Sequence, residues 1–335
     1  MRTLELAIDV TGVTRLPGPA QIAASVFLPD GALADLPVAV FASPGGGYGR
    51  RYYDLRFEGH AGYSQAEHHT ARGLILIAYD HLGCGESMAA HLAELTIEDF
   101  SAANDAAVRE ILARLKSGTL ADGLAPLPGI VAIGHGQSMG GGVTIIMQGR
   151  HASFDAIAPV GYSAIHTVLP QRTEAERRQG VEGHAFSRQT KGGEMSLETA
   201  SARVSDFVYP FHWEDVPEDI LAADMQGGYP VRKLCPPWGS PTIPNCVIAM
   251  MSPGYVREEA AAITVPVLMG FGERDVSQNM RAEPGAFPAS RDVSVFIAPK
   301  MAHMHNFAST RRLLWDRIAD WSLMAARAKT ARDSV

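Results

Sequence analysis

The chain has 335 residues, of which 46% are hydrophobic and 19% are charged, and its formal net charge is −7. This length and composition predict a globular protein with a large core and an appended lid, and the acidic balance argues against nucleic-acid and membrane partners. The sequence contains no run of eighteen apolar residues that could span a bilayer, and it does not open with a signal-peptide pattern. A cytoplasmic location is therefore expected.

Predicted strands and helices alternate through the first half of the chain. Short apolar runs predict strands at residues 26–28, 38–42, 74–79, 130–133 and 156–160. Helical patterns between them occupy residues 63–72, about 97–116 and 139–149. Buried strands that alternate with helices predict an α/β protein with a mostly parallel sheet and helices on both faces.

The alternation stops near residue 164. Residues 171–198 are polar and rich in charge, and residues 203–253 mix aromatic side chains with prolines. Neither pattern is typical of a strand–helix repeat, so we interpret this part of the chain as an insertion into the α/β domain.

The alternation resumes in the last part of the chain. Apolar runs predict strands at residues 265–269 and 293–297, and a long helix is expected from about Ala308 to the end. The predicted organisation is a first core segment at residues 1–163, an inserted and mainly helical cap at residues 164–263, and a second core segment at residues 264–335.

The three cysteines, Cys84, Cys235 and Cys246, follow no metal-ligand spacing, and no metal is expected. So few cysteines suit a reducing compartment, although a disulfide between Cys235 and Cys246 stays open at this point. Cys84 lies in the turn after a predicted strand, and we interpret it as a small apolar filler rather than a nucleophile.

A serine motif joins the predicted strand at residues 130–133 to the helix that follows it. The stretch Gly136-Gln137-Ser138-Met139-Gly140 has the form G-x-S-x-G. In a tight turn between a strand and a helix, this form raises the serine hydroxyl above the edge of the sheet. The competing interpretation is that Ser138 only caps the helix, which is common for a serine at such a position. The strand–turn–helix context favours a nucleophile.

A serine nucleophile needs a base, and the base needs an acid that orients it. His303 and His305 follow the last predicted strand, and Asp275 follows the strand before it. Because the carboxyl ends of parallel strands meet at one edge of a sheet, these side chains are expected near Ser138. Either histidine could reach the serine, and an ordinary turn residue is the competing interpretation of Asp275.

With these features the chain resembles the α/β-hydrolase superfamily, and specifically its members with a lid inserted after the sixth core strand. The order Ser…Asp…His is the superfamily's. Ser138-Met139-Gly140-Gly141 is similar to its frequent S-M-G-G, and DHLGCGES at residues 80–87 is similar to its D-x-x-G-x-G-x-S turn. The resemblance implies the α/β-hydrolase fold and a triad of Ser138, His303 and Asp275, with His305 as the alternative base.

Three glycines, Gly45, Gly46 and Gly47, follow the predicted strand at residues 38–42. Attack by serine on a carbonyl carbon puts negative charge on the oxygen, and two backbone N–H groups aimed at that oxygen stabilise it. We expect one N–H from Met139 and the other from Gly46, where a side chain would obstruct the substrate. Gly45 and Gly47 are the alternatives to Gly46. A phosphate-binding loop is less favoured because no Gly-Lys-Ser/Thr follows.

The sequence therefore predicts a serine hydrolase that cleaves carboxylic esters, lactones included, without a metal or cofactor. A hydrolase of amides or carbon–carbon bonds with the same triad, and a non-catalytic receptor for small molecules, are the alternatives. The aromatic part of the cap predicts an apolar substrate pocket, with at least one wall from Phe207, Trp213 and Trp238. A homodimer is the default assembly, since dimers are the commonest.

Overall fold

The structure is a computed structural model that describes residues 1–179, 202, 204, 206–230 and 232–333. Most of the polar segment at residues 171–198 therefore lies outside the described residues. The strands are β1 (Arg2–Asp9), β2 (Ala20–Leu28), β3 (Val38–Ser43), β4 (Ile75–Tyr79), β5 (Met88–Ala89), β6 (Val131–Gln137), β7 (Ala156–Val160), β8 (Val267–Gly272) and β9 (Val293–Ala298).

One sheet contains these strands in the order β1-β2-β4-β3-β6-β7-β8-β9, and β5 pairs with β2 outside this path. From β4 across to β9 all neighbours are parallel. β1 and β2 add an antiparallel edge. The predicted mostly parallel sheet is confirmed.

The helices are α1 (Gln65–Thr70), α2 (Ile97–Ser117), α3 (Met139–His151), α4 (Val208–Phe211), α5 (Glu218–Met225), α6 (Arg257–Ala262) and α7 (Arg311–Asp333). Short 3-10 helices occupy Arg50–Tyr53, Leu92–Glu94, Asn245–Met251, Met280–Ala286 and His305–Phe307. Among the helices that the structure describes, none has both the length and the apolar character that a membrane crossing requires.

Helices cover both faces of the sheet, as predicted. The alternation of side chains along β3 shows the two faces: Ala39 and Phe41 pack in the cluster that contains α2 and α3. Val38 and Val40 pack in the cluster that contains α7. Because both faces are buried, β3 is apolar at every position except its last, Ser43, which precedes the loop that contains Gly45, Gly46 and Gly47.

Helix α2 shows how local sequence sets an element's limits. The Thr96 side chain accepts the Asp99 N–H and the Asp99 side chain accepts the Thr96 N–H, which is a capping box. The helix ends at Gly118, whose φ of 75° is left-handed and suits glycine.

One edge of the sheet was not predicted. β1 and β5 were missed, and β2 begins at Ala20 rather than at residue 26. In β1 the less exposed side chains alternate with exposed ones, because an antiparallel edge strand meets solvent on one side. β5 has only two residues, too few for any periodic pattern.

Between residues 164 and 263, the described residues form helical elements and no strand of the sheet. This agrees with the predicted mainly helical cap, while the exact limits of the domains stay a prediction. Aromatic side chains of this segment join a buried cluster with the core, in which Phe211 and Trp238 are grouped with Tyr52 and Phe307. The cap therefore packs directly on the edge of the sheet where the strands end.

Candidate active site

The G-x-S-x-G motif forms a sharp turn between β6 and α3. Ser138 has φ 53° and ψ −119°, outside the regions that non-glycine residues ordinarily adopt. A Cβ on Gly136 would lie 2.2 Å from the Gly140 carbonyl oxygen, and a Cβ on Gly140 would lie 2.2 Å from that of Ser43. Both flanks must therefore be glycine. The Ser138 side chain makes no capping bond to α3, so the helix-cap interpretation finds no support.

Ser138, His303 and Asp275 lie in hydrogen-bonding contact just beyond β6, β9 and β8. Ser138 Oγ is 2.8 Å from His303 Nε2, and His303 Nδ1 is 2.7 Å from Asp275 Oδ1. Because an ionised carboxylate only accepts, Nδ1 carries the proton and Nε2 accepts the Ser138 hydroxyl. An imidazole in this tautomer can take a proton from serine.

Asp275 is buried and accepts four hydrogen bonds. His303 and the Val276 N–H donate to Oδ1, and His305 and the Gly272 N–H donate to Oδ2. Burial by itself would raise the pKa of Asp275, but the imidazoles of His305 and His303 outweigh burial and hold it well below its usual range. The carboxylate is therefore ionised at neutral pH and ready to orient an imidazole.

His305, the alternative base, has another position. Its Nε2 donates to Asp275 Oδ2 at 2.7 Å, and within the described part of the chain its buried Nδ1 has no hydrogen-bond partner. Neither nitrogen is bonded to Ser138, so the structure favours His303 as the histidine that faces the serine. His305 instead donates a hydrogen bond to Oδ2 of Asp275, the carboxylate oxygen that His303 does not use.

Gln137 is a site residue that the sequence analysis missed. Its Nε2 donates to the backbone carbonyl of His303 at 2.9 Å and so ties the serine turn to the histidine loop. The signal available in the sequence was a polar residue directly before Ser138 in the glycine-rich turn, and the structure shows that its side chain is buried.

The loop after β3 faces the serine turn. A Cβ on Gly45 would lie 2.3 Å from Gln137 Oε1, so the Gln137 side chain would have to move, and Gly47 has a left-handed φ of 79° that favours glycine. Gly46 differs, because a Cβ there would meet its neighbours at ordinary contact distances. Glycine at position 46 is therefore not required by contacts with the described residues. Gly46 and Met139 both line the cavity beside the serine, and their roles as N–H donors stay predictions.

A buried histidine holds this loop from the core side. His81 Nε2 donates to the Pro44 carbonyl at 3.0 Å, and Asn104 donates to His81 Nδ1 at 2.8 Å. Burial lowers the pKa of His81 to about 4, against the opposing effect of its bond to Pro44. The imidazole is therefore neutral at neutral pH, as one donated and one accepted bond require.

Acidification is expected to destabilise the protein through His81. The ordinary histidine pKa is 6.5, so between pH 6.5 and about 4 the unfolded chain binds a proton that the folded protein excludes. This contribution to stability is complete above pH 6.5 and is lost as the pH falls; the loss reaches about 2 kcal/mol at pH 5. Replacing His81 with glutamine keeps a donor and an acceptor and removes the titration.

Urea unfolding at pH 7 and at pH 5 measures this effect. Between the two pH values, the free energy of unfolding should drop by about 2 kcal/mol less in His81→Gln than in the wild type. Each protein's value at pH 7 is its own reference, so the lost stacking of His81 on Phe100 cancels. Equal drops in the two proteins would contradict the prediction.

An apolar cavity of about 140 Å³ lies beside Ser138 and His303. Side chains of the core and the cap form its wall, among them Met139, Leu169, Phe207, Phe211, Ile243 and Met250. Of the described residues that line it, none is Asp, Glu, Lys or Arg. An apolar cavity of about 150 Å³ in another protein holds benzene, so this one suits an uncharged group of similar size.

Only Phe207 of the three aromatic residues expected in the pocket lies in the cavity wall described here. The expectation is corrected for Trp238, whose indole N–H donates to buried Asp224 at 2.9 Å between cap and core. It is also corrected for Trp213, which packs against the Arg274 guanidinium, 4.7 Å from its ring centroid, in a separate groove. The composition of this segment predicted apolar contacts for these rings, but it could not identify the residues that each ring contacts.

The three cysteines are free thiols, so the disulfide left open between Cys235 and Cys246 is absent. Burial raises the pKa of the Cys84 thiol well above its usual value, as suits a side chain that only fills space. Among the residues that the structure describes, no group of three or more His, Cys, Asp or Glu side chains could hold a metal ion.

Known proteins match the chain by structure and not by sequence. No protein-family model and no curated protein matches it. A soluble variant of monoglyceride lipase from Saccharomyces cerevisiae aligns with a TM-score of 0.65 at 13% identity, over 97% of this chain and 96% of that one. A thermophilic esterase from Thermogutta terrifontis aligns with a TM-score of 0.59 at 15% identity, over 96% and 99%.

Proline iminopeptidase from Mycobacterium smegmatis also aligns, with a TM-score of 0.60 at 16% identity, over 97% of this chain and all of that one. Three proteins with different names thus share the fold of this chain. At identities this low the likeness shows a fold, and the reaction must be argued from the site.

Proposed function

We propose that this chain, which has the α/β-hydrolase fold, is a serine hydrolase that cleaves carboxylic esters, lactones included. One observation carries the proposal. The Ser138 hydroxyl, His303 and ionised Asp275 are linked by hydrogen bonds of 2.8 and 2.7 Å beside an apolar cavity. A base that faces a serine and is held by an acid is the arrangement that makes the hydroxyl nucleophilic.

In the acylation step, His303 Nε2 takes the proton of Ser138 as Oγ forms a bond to the carbonyl carbon of the ester. The electron pair of the carbonyl moves onto its oxygen, where the N–H groups of Met139 and Gly46 stabilise the charge. As the tetrahedral intermediate collapses, His303 gives the proton to the alcohol oxygen, which leaves. The acyl group stays on Ser138.

Deacylation repeats these steps with water. His303 takes a proton from the water molecule as its oxygen attacks the acyl carbon, and then returns the proton to Ser138 Oγ as the acid leaves. Asp275 stays ionised throughout and stabilises the imidazolium that forms in each step. No other reagent is needed, since one ester and one water give one acid and one alcohol.

The lining of the cavity supports an uncharged, apolar acyl group. A charged acyl group would lose its hydration against a wall whose described residues offer no opposite charge. Each methylene that enters such a site is worth about 0.8 kcal/mol, or roughly fourfold in kcat/KM. A lactone fits the same proposal, because its acid and alcohol parts enter as one ring and leave as one hydroxy acid.

An ester panel tests this function. We expect kcat/KM for p-nitrophenyl esters to rise from acetate through butyrate, about fourfold per methylene, until the cavity is full. The corresponding anilides should react far more slowly, and identification of the products excludes carbon–carbon cleavage. A purified wild-type protein that hydrolyses no ester or lactone of the panel would overturn the proposal.

Selectivity for acyl size is expected to depend on Phe207. Replacing Phe207 with alanine enlarges the cavity, so kcat/KM for a bulky acyl group such as benzoate should rise about tenfold relative to butyrate. Trp213→Ala is the matched control, since it also removes a large aromatic side chain of the cap but from outside the cavity. If both variants, or neither, change the benzoate-to-butyrate ratio, this account of the cavity is wrong.

A further inference from the structure

Four consecutive carbonyl groups of the glycine loop are hydrogen-bonded. From the core, His81 donates to the carbonyl of Pro44 at 3.0 Å, and the Tyr48 N–H donates to that of Gly45 at 3.2 Å. The next two carbonyls, of Gly46 and Gly47, are held by the cap. Core and cap thus each hold one half of the loop.

The cap holds these two carbonyls through the side chains of Tyr229 and Arg232 and through the backbone N–H of Ser240; we call this set of contacts the clamp. The Tyr229 hydroxyl donates to the Gly46 carbonyl at 2.7 Å. The Gly47 carbonyl accepts the Ser240 N–H at 3.0 Å and Arg232 Nε at 3.3 Å. Tyr229 also lines the cavity beside Ser138.

A buried carboxylate organises this clamp. Asp224, with no exposed surface, accepts hydrogen bonds from Tyr48, His212 and Trp238 at 2.7 to 2.9 Å. Arg232 Nη2 also donates to it at 3.3 Å. The Arg232 guanidinium lies over the Tyr48 and Tyr229 rings, 5.0 and 5.4 Å from their centroids. Asp224 therefore holds Arg232 directly, and it holds Tyr229 only through the guanidinium that lies over the Tyr229 ring.

Each of these bonds also fixes an N–H group, because a peptide unit is planar and joins each carbonyl to the N–H of the next residue. The held Gly46 carbonyl therefore fixes the Gly47 N–H, and the held Gly47 carbonyl fixes the Tyr48 N–H. The Tyr48 N–H in turn donates to the Gly45 carbonyl, whose peptide unit contains the Gly46 N–H. Three glycines in a row have great backbone freedom, and a loop that must reorganise during the reaction stabilises charge less well than a fixed one. The clamp removes that freedom before substrate binds.

Stability alone is a weak explanation for this cluster. A buried pair such as Arg232 and Asp224 gains little over apolar side chains of the same volume, because both groups must lose their water. Such pairs can instead specify one conformation, and here the donors converge on the loop that faces Ser138.

We propose that Arg232, which Asp224 holds, and Tyr229, whose ring packs against Arg232, are positioning residues that set the orientation of the Gly46 and Gly47 N–H groups for the transition state. This inference rests on the proposed ester hydrolysis. It predicts a loss in kcat rather than in KM, because the oxygen carries full negative charge only after attack.

Tyr229→Phe tests the proposal, because it removes one hydroxyl and keeps the ring. We expect kcat to fall about tenfold, less than the 10²–10³ that loss of a direct N–H donor costs, while KM stays within about twofold. Affinity for a trifluoromethyl ketone inhibitor, whose adduct carries the same negative oxygen, should fall by the same factor as kcat. Arg232→Lys keeps the charge beside Asp224 but loses the Nε donor, and it should show the same pattern.

Tyr162→Phe is the matched comparison. Tyr162 lines the same cavity, and its hydroxyl donates to a backbone carbonyl, that of Met250, at the same distance of 2.7 Å. The loss of kcat in Tyr229→Phe should exceed that in Tyr162→Phe by at least about fivefold. Equal losses in the two variants, or a rise in KM with kcat unchanged, would overturn the proposal. So would lower thermal stability without any change in kcat.

The outcomes separate this inference from the proposed function. If the wild-type protein hydrolyses no ester, the function itself fails and both fall together. If the wild type is active and Tyr229→Phe and Arg232→Lys keep its kcat, only the positioning role is excluded.

Discussion

Replacement of Ser138 by alanine is expected to lower kcat for ester hydrolysis by about 10⁴- to 10⁶-fold with little change in KM. In the proposed mechanism Ser138 Oγ is the atom that forms the acyl intermediate, and neither His303 nor the N–H groups can substitute for it. The cavity that binds the acyl group stays intact, so ground-state binding should persist. Steady-state kinetics on p-nitrophenyl butyrate, with the released nitrophenol followed by absorbance, measures both constants.

Ser153→Ala is the control for this substitution. Ser153 is also buried and lies just past the other end of α3, where its hydroxyl donates to Asp105 at 2.7 Å. The Ser153→Ala variant should be less stable than the wild type and should keep the wild-type kcat. A Ser138→Ala protein with more than about a hundredth of wild-type kcat would show that another residue performs the attack.

Replacement of Asp275 by asparagine is expected to lower kcat by about 10³- to 10⁴-fold. The carboxylate accepts two imidazole N–H groups and two backbone N–H groups, whereas a carboxamide has only one accepting atom. Its NH₂ group would face an N–H donor, so one imidazole must change tautomer or turn away. A His303 with its proton on Nε2 cannot take the proton of Ser138.

Asp155→Asn gives the matched comparison, since Asp155 accepts the Ala132 N–H at 2.9 Å at the opposite end of the sheet. Its asparagine can accept the same bond, and kcat should stay near the wild-type value. If Asp275→Asn keeps kcat within tenfold of the wild type while remaining folded by circular dichroism, Asp275 does not orient the base.

The juxtaposition of Ser138, Asp275 and His303 could be predicted because the position of each depends on a local rule. The turn around Ser138 needs glycine on both sides, which leaves a readable motif. The parallel direction of β6, β8 and β9 then brings the residues that follow them to one edge of the sheet. Sequence order could not decide between His303 and His305, because a single loop residue separates them and only the backbone path determines which ring faces Ser138.

The parts that escaped prediction depend on contacts across long stretches of chain. In the sequence Asp224 has no feature that distinguishes it from the other acidic residues of α5. In the structure its carboxylate accepts a hydrogen bond from Tyr48, 176 positions away. Trp238 was expected in the pocket and instead donates to Asp224. No periodicity or spacing in the cap marks such pairs, since prolines and aromatic residues pack there without regular repeats. β1 was missed although its apolar and polar residues alternate as in a half-buried strand.

The most direct test of the account is covalent labelling of the wild-type protein with a fluorophosphonate, followed by mass spectrometry of its peptides. The reagent phosphonylates a serine only where a base and an oxyanion site activate it. The account predicts one adduct, on Ser138, and none in Ser138→Ala. A folded wild-type protein that stays unlabelled, or that carries its adduct on another serine, would contradict it.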